Sequence, residues 1–177
     1  MTKLMPPINF KKWIDDNRDK LKPPVANREL YEMGDFIIMV VGGPNNRKDF
    51  HDDAGEEFFY QIEGDMVLRV QENGKPRDIK IREGETFLLP SHVHHSPQRF
   101  ANTIGLVIER KRAKDELDGF VWYCEKCNEK LYEEYIPLGN IVSDLPKVFE
   151  RFWSNDKNRT CKKCGCVMEK PATAKAA

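Results

Sequence analysis

Between Phe36 and Arg110 the chain never keeps one apolar run for long, and this limits its fold more than any other feature. Short β-branched and aromatic stretches (FIIMVV, EFFYQI, MVLRVQ, RDIKIR, TFLLP, IGLVIER) alternate with breaks at GGPNN (42–46), EGD (63–65), ENGKP (72–76), REGE (82–85) and ANT (101–103). The breaks are built from Gly, Pro, Asn and Asp, which supply turn geometry. Asn73-Gly74 is a good two-residue hairpin turn. Many short strands at this spacing argue for an antiparallel sandwich or barrel.

Helices are expected only at the two ends. Residues 8–21 place Phe10, Trp13 and Ile14 at helical spacing behind Asn9, a plausible cap, and Lys22-Pro23-Pro24 ends that helix. After Lys114 a different unit begins, with two cysteine pairs around a helix from Asp144 to Trp153. Its stripe of Leu145, Val148, Phe149, Phe152 and Trp153 reads as core packing. The last residues, PATAKAA, read as a frayed tail.

Composition excludes several classes. The 29 basic and 29 acidic residues balance, so no polyanion such as nucleic acid is expected as a partner. The longest purely apolar run is Phe36 to Val41, far below the roughly 20 residues of a membrane helix. The first ten residues lack a signal-peptide apolar region, so a soluble, cytoplasmic protein is expected, its five cysteines reduced.

The four histidines fall in two short segments that read as β-structure: His51 in HDDAGEEFFYQIEG, and His92, His94 and His95 in GETFLLPSHVHHSPQR. Imidazole plus carboxylate on rigid strands suits a divalent metal. Two His and one carboxylate leave positions open for substrate and oxygen, as in non-haem Fe(II) sites, with Mn, Co or Ni as possible substitutes. Strand alternation puts His92 and His94 on one face and His95 on the other, and Glu56 opposite Glu57.

Spacing carries a resemblance. Glu57 is followed seven positions later by Gly64, and Gly84 by Pro90 and then His95. This resembles the two motifs of the cupin superfamily, a jelly-roll (double-stranded β-helix) barrel. The register of that superfamily implies His51, Glu57 and His95 as metal ligands. Asp53 stands where a second His is usual, and His92 where a Gly is usual, so a three-His, one-Glu site becomes two His and one Glu.

Charged residues flank these motifs. Arg47 and Arg99 lie just before the first and just after the second, and a guanidinium fork binds a carboxylate bidentately. Taken alone, either reads first as an ordinary surface residue or a structural ion-pair partner. Glu109 sits in the apolar run IGLVIER and needs a function or a partner there.

Cys124-x₂-Cys127 and Cys161-x₂-Cys164 make two knuckles suited to a tetrahedral Zn²⁺ or a single iron, a closed site and therefore structural. Cys166 is a spare thiol.

A closer resemblance covers nearly the whole chain. LKPPVANR (21–28), VVGGPNNRKDFHDD (40–53), EEFFYQIEGD (56–65), EGETFLLPSHVHHSPQR (83–99), LVIER (106–110), DGFVWYCEKC (118–127) and the final CKKCG are similar to the short, homodimeric form of the 3-hydroxyanthranilate 3,4-dioxygenase family. The resemblance implies Fe(II) on His51, Glu57 and His95, and Arg47 and Arg99 clamping the carboxylate of an aromatic substrate. It implies Glu109 bonded to the substrate amine, pocket positions at Asn27, Phe59 and Pro97, and O₂ as co-substrate. It also implies an iron or zinc in the Cys₄ site that ring cleavage does not need. The domains expected are 1–115, a catalytic cupin barrel with its N-terminal helix; 116–168, a rubredoxin-like Cys₄ extension; and 169–177, a tail. Other readings of the same residues are another cupin metalloenzyme, such as an isomerase or thiol dioxygenase, and a non-enzymatic Cys₄ electron carrier.

Overall fold

The computed structural model describes residues 4–23, 26–139 and 141–171. Pro24 of the expected helix stop and residues 172–177 of the expected tail lie outside the described residues. The strands are β1 (Asn27–Glu29), β2 (Phe36–Gly42), β3 (Asp49–Asp52), β4 (Glu57–Glu63), β5 (Met66–Glu72), β6 (Lys75–Ile81), β7 (Thr86–Leu89), β8 (His95–Arg99), β9 (Ile104–Arg110), β10 (Asp118–Tyr123) and β11 (Lys130–Ile136). They form two antiparallel sheets, ordered β1-β2-β9-β4-β7 and β11-β10-β3-β8-β5-β6. This is the all-β-dominated architecture expected from the run of short strands.

Period-two alternation explains how the sheets face each other. Met39, Phe59 and Val107 of the first sheet meet Met66, Leu68 and Val70 of the second in one buried cluster. Their odd or even neighbours point the other way. The β5–β6 hairpin closes through Asn73 and Gly74, both at positive φ (51° and 74°), with Glu72 opposite Lys75. That is the turn whose twist suits two strands joined by two residues.

Helix α1 (Phe10–Asn17) is capped by Asn9, whose side chain accepts from the Lys12 amide at 3.0 Å. It is shorter than the 8–21 expected. The Asn17 side-chain amide donates to the Trp13 carbonyl at 2.8 Å, and the chain then tightens into a 3-10 turn over Arg18–Lys20. A side chain that competes for backbone groups favours such an ending. Ile14 and Leu21 pack on Val40 and Ile104, which point outward from the first sheet.

The C-terminal helix α2 (Ile141–Trp153) begins a few residues before the expected Asp144. Its stripe does pack, as expected: Val148 and Phe152 are fully buried against Phe120 and Trp122 of β10. Phe152 and Trp122 stack with centroids 4.3 Å apart. A short helix α3 (Asp156–Arg159) follows. Two strands here were not anticipated. β10 pairs along β3, with Phe120 opposite His51, and β11 pairs along β10. The segment after residue 115 therefore continues the second sheet, and α2 packs against β10 and β11 of that sheet. Among the described residues, no helix is long and apolar enough to cross a membrane.

Candidate active site

Sheet register alone brings the metal-suited donors together. His51 on β3 is opposite His95 on β8, and Glu57 on β4 is opposite Glu109 on β9. All four point into the space between the sheets. Glu57 Oε1 lies 2.8 Å from His95 Nε2 and 3.3 Å from His51 Nδ1. These three donor atoms lie within 4.8 Å of one another. Glu57 Oε1 is buried and has no well-aligned hydrogen-bond donor. A buried carboxylate oxygen without a donor, faced by two imidazole nitrogens, is the arrangement a divalent cation completes. The residues therefore fit the metal that the spacing implied.

The remaining nitrogen of each ring is already held. His95 Nδ1 donates to the Val93 carbonyl at 2.9 Å, which leaves Nε2 free to ligate. His51 Nε2 is 2.8 Å from Asp118 Oδ1, which leaves Nδ1 facing Glu57. Such outer partners fix the tautomer and orientation of ligating imidazoles. Burial disfavours a charged His51, but the Asp118 carboxylate it hydrogen-bonds and the Glu57 carboxylate facing it outweigh this and push it up to about 10. The same two carboxylates favour any cation at this spot.

His92 and His94 are not part of the cluster; both precede β8, with His92 in a turn, rather than alternating along a strand as expected. His92 is exposed at a turn with φ 59° and reaches Asp52 Oδ1 at 3.1 Å. His94 bonds the Tyr123 hydroxyl at 2.8 Å and lies 3.5 Å from Asp52 Oδ2. Glu56 is exposed, facing away from Glu57. Asp53, standing where a second histidine was expected, accepts from the Gly55 amide at 2.7 Å and shapes the turn between β3 and β4.

A cavity of about 400 Å³ opens beside the three donors. Every residue named in advance as a substrate contact lines it: Asn27, Arg47, Glu57, Phe59, Pro97, Arg99 and Glu109. Arg99 is 3% exposed, gives Nη1 to Gln61 Oε1 at 3.1 Å and leaves Nε without a partner. Burial pulls it down to about 10. No carboxylate pairs with it among the described residues, so a buried cation faces the cavity without a counter-ion. Arg47 is partly exposed and ion-paired with Asp49. Glu109 is pushed up to about 8 by burial, helped by the nearby Glu57 charge and opposed by Arg112.

Sequence reasoning missed three parts of this site. Arg112 ion-pairs with Glu109 at 2.9 Å, Asp53 at 2.7 Å and Asp118 at 2.7 Å. Asp118 itself was not anticipated. The requirement that a carboxylate in an apolar strand have a partner pointed towards Arg112, three residues after Glu109, but only the fold shows the other two acids. The third omission is the wall: Leu138, Leu145, Pro146 and Phe149 line the cavity as well as packing α2. The stripe read as core is also the cavity's wall, linked to the donors through Phe120, which meets Phe149 edge-on and stacks on His51 at 5.4 Å.

The four cysteines converge as expected. Cys124 Sγ is 3.6 Å from Cys164 Sγ, and Cys127 Sγ is 3.5 Å from Cys161 Sγ. Four thiolates about 2.3 Å from one ion have tetrahedral edges of about 3.8 Å, close to these separations. Each knuckle closes on a residue at positive φ, Asn128 (58°) or Gly165 (71°), whose amide donates to the carbonyl of the first cysteine at 2.8 or 2.9 Å. Cys166 is outside the four-sulfur group.

The geometry has counterparts among known proteins. A family model described as 3-hydroxyanthranilic acid dioxygenase matches residues 2–153. A protein from Xanthomonas euvesicatoria pv. vesicatoria named 3-hydroxyanthranilate 3,4-dioxygenase is 56% identical over 168 residues, covering 95% of each chain. Proteins of the same name from Shewanella woodyi and Paraburkholderia phytofirmans are 51% identical (89% of this chain, 84% of that one) and 49% identical (91% and 93%).

Proposed function

Because the chain belongs to the 3-hydroxyanthranilic acid dioxygenase family, we propose that it cleaves the aromatic ring of 3-hydroxyanthranilate with O₂, giving 2-amino-3-carboxymuconate semialdehyde. One observation carries the reading from the structure's side: a two-His, one-Glu cluster and a buried, unpaired arginine share one cavity. A substrate with a carboxylate for the arginine and a hydroxyl and amine for the metal satisfies both.

His51, Glu57 and His95 would hold the metal, for which Fe(II) suits the donor set. Bound there, it would supply open coordination positions and redox chemistry for substrate and O₂. The chain's own residues do the rest. Arg99 receives the substrate carboxylate, and a charge-assisted bond in this dry setting contributes about 1.5–3 kcal/mol. Arg47 joins it from the other side by exchanging Asp49 for the substrate. Glu109 accepts a hydrogen bond from the amine and is placed to hold a proton on its carboxylate. Phe59, Pro97, Met39 and Val107 sandwich the ring, and Asn27 closes the pocket from β1. Leu145 and Phe149 keep water from the reacting carbons. Fixed geometry and aimed charge are the protein's main contribution.

Residues 116–168 form, in this proposal, an extension stapled by zinc or iron in the Cys₄ cluster, and two copies of the cytoplasmic chain associate. The family resemblance supports both points. The test is anaerobic reconstitution with Fe(II), then addition of 3-hydroxyanthranilate in air. Stoichiometric O₂ uptake and the semialdehyde chromophore are expected. A metal-loaded protein that consumes no O₂ with this substrate overturns the reading.

A further inference from the structure

The cavity's chemistry depends on a cation that has no place in the scheme so far. Arg112 lies in the loop between β9 and β10, 10% exposed at its side chain. That loop is strapped shut by an ion pair between Arg110 and Glu116. The Arg112 fork faces three acids, hydrogen-bonding Asp118 and ion-pairing with Asp53 and Glu109. Nε lies 3.0 and 3.1 Å from the two oxygens of Asp118, Nη2 lies 2.7 Å from Asp118 Oδ1 and 2.7 Å from Asp53 Oδ2, and Nη1 lies 2.9 Å from Glu109 Oε2. These partners are 1% exposed at Asp118, 5% at Asp53 and 4% at Glu109.

Two of them lead to different parts of the site. Asp118 holds His51 Nε2 at 2.8 Å and so sets which nitrogen of that ring faces Glu57. Glu109 stands opposite Glu57 in the sheet and faces the substrate space. One rigid guanidinium thus fixes the ring of a metal-suited donor on one sheet and an acid on the other. We propose that Arg112 is a positioning residue of the ring-cleaving reaction, coupling the orientation of His51, through Asp118, to the placement of Glu109 beside the substrate. The inference rests on the proposed reading of this site.

Charge alone does not fill this role. An ammonium is a point charge, whereas the guanidinium hydrogen-bonds Asp118 through Nε and Nη2 while its Nη1 stays in ion-pair contact with Glu109. Arg112→Lys keeps the cation and most of the stem, so the fold survives, but it cannot hold Glu109 and Asp118 together.

The test has two arms. In the first, wild type, Arg112→Lys, Glu109→Gln and the double variant are loaded with Fe(II) and assayed with 3-hydroxyanthranilate. Arg112→Lys is expected to melt within a few degrees of wild type yet lose about tenfold in kcat, with KM changed much less. In the Glu109→Gln background the same substitution is expected to cost under threefold, because the acid it positions is gone. In the second arm, metal-free protein is titrated with Co(II) without substrate. Arg112→Lys is expected to bind about tenfold more weakly, the usual penalty for loosening a ligand's outer partner. Full kcat in Arg112→Lys, additive losses in the double variant, or unchanged Co(II) affinity overturns the proposal. Asp118→Asn cuts the same link from its other end and serves should Arg112→Lys fail to fold. It too is expected to weaken Co(II) about tenfold, and unchanged affinity counts against the coupling. Wild-type turnover tests the ring-cleavage reading separately, and the Co(II) arm reads Arg112 even where that turnover is absent.

Discussion

The four cysteines come from two turns of one kind, whereas the two histidines and the glutamate come from three strands of two sheets. Each cysteine knuckle is complete within five residues, its shape set by one amide-to-carbonyl bond and one residue at positive φ. Its donors are alike and can surround an ion on all sides. The mixed cluster has no such local unit. Its donors meet because β3 pairs with β8 in one sheet and the facing sheet presents Glu57. They cover one side only, and the other side opens on a 400 Å³ cavity. A closed set of four soft ligands stabilises; an open set of three leaves room for chemistry. The two clusters also differ in surroundings. Carboxylates and arginines crowd the open one, and each histidine there has a second partner.

The largest separation of the two comes from Glu57→Ala. Turnover is expected to fall by more than about a thousandfold, since a required ligand and its charge are lost. Metal analysis should show one ion per chain gone and the Cys₄ ion retained. Loss of both ions, or of neither, breaks the distinction between an open and a closed centre.

Arg99→Ala comes next. Removing a buried cation from the substrate carboxylate is expected to raise KM at least about tenfold with both metals in place, as a charge-assisted bond of about 1.5–3 kcal/mol implies. An unchanged KM in steady-state kinetics removes Arg99 from the substrate clamp.

Cys124→Ser acts on the other side of the comparison. It is expected to lower the melting temperature by at least about 5 °C, because binding of a structural ion feeds directly into folding free energy. Specific activity per catalytic metal should change by less than about threefold, since Trp122, Phe152 and Phe149 still brace α2 against β10. A large fall in turnover per metal would mean that the staple, rather than this aromatic packing, holds the cavity wall in place.

How much of this was legible beforehand follows the same division. The cysteine knuckles could be read from spacing because their geometry is local. Six of the strands between Phe36 and Arg110 could be read from apolar runs set off by turn residues, and the Asn73-Gly74 hairpin formed as expected, while the short β3 and β8 were seen only as β-structure around the histidines. β10 and β11 escaped notice because DGFVWY and KLYEEYI lie among the cysteine knuckles, where the metal pattern dominated the reading. His51, Glu57 and His95 could be named from motif spacing, but their partners could not. Asp118 and Arg112 reach the site only once β10 lies beside β3, a long-range pairing that leaves no mark at the sequence level. The two roles of Leu145 and Phe149 were hidden for a similar reason. A helical stripe looks the same whether it covers a sheet or also walls a cavity.

The smallest expected effect tests whether register or mere proximity selects the histidine ligands. His92 and His94 lie in the same segment as His95, and a metal preferring any local imidazole cluster would recruit them. The structure turns them to the opposite face, where both serve Asp52 together with the Tyr135 hydroxyl at 2.8 Å. Hydrogen bonds, first from His94 and then from Tyr135 and His92, outweigh burial and hold the Asp52 carboxyl well below the usual carboxylate range. A depressed carboxylate contributes stability above its unfolded value and loses it as pH falls towards its folded one. His92→Ala removes only one exposed partner of three. It should leave turnover within about twofold and both metals bound, and cost at most about 0.5 kcal/mol, typical of a surface substitution. That cost should show above about pH 4, where an unfolded aspartate is ionised, and fade in more acid solution. If His92→Ala instead strips the catalytic metal, the donor set has been drawn from the wrong imidazoles, and the open centre must be rebuilt from those now placed outside.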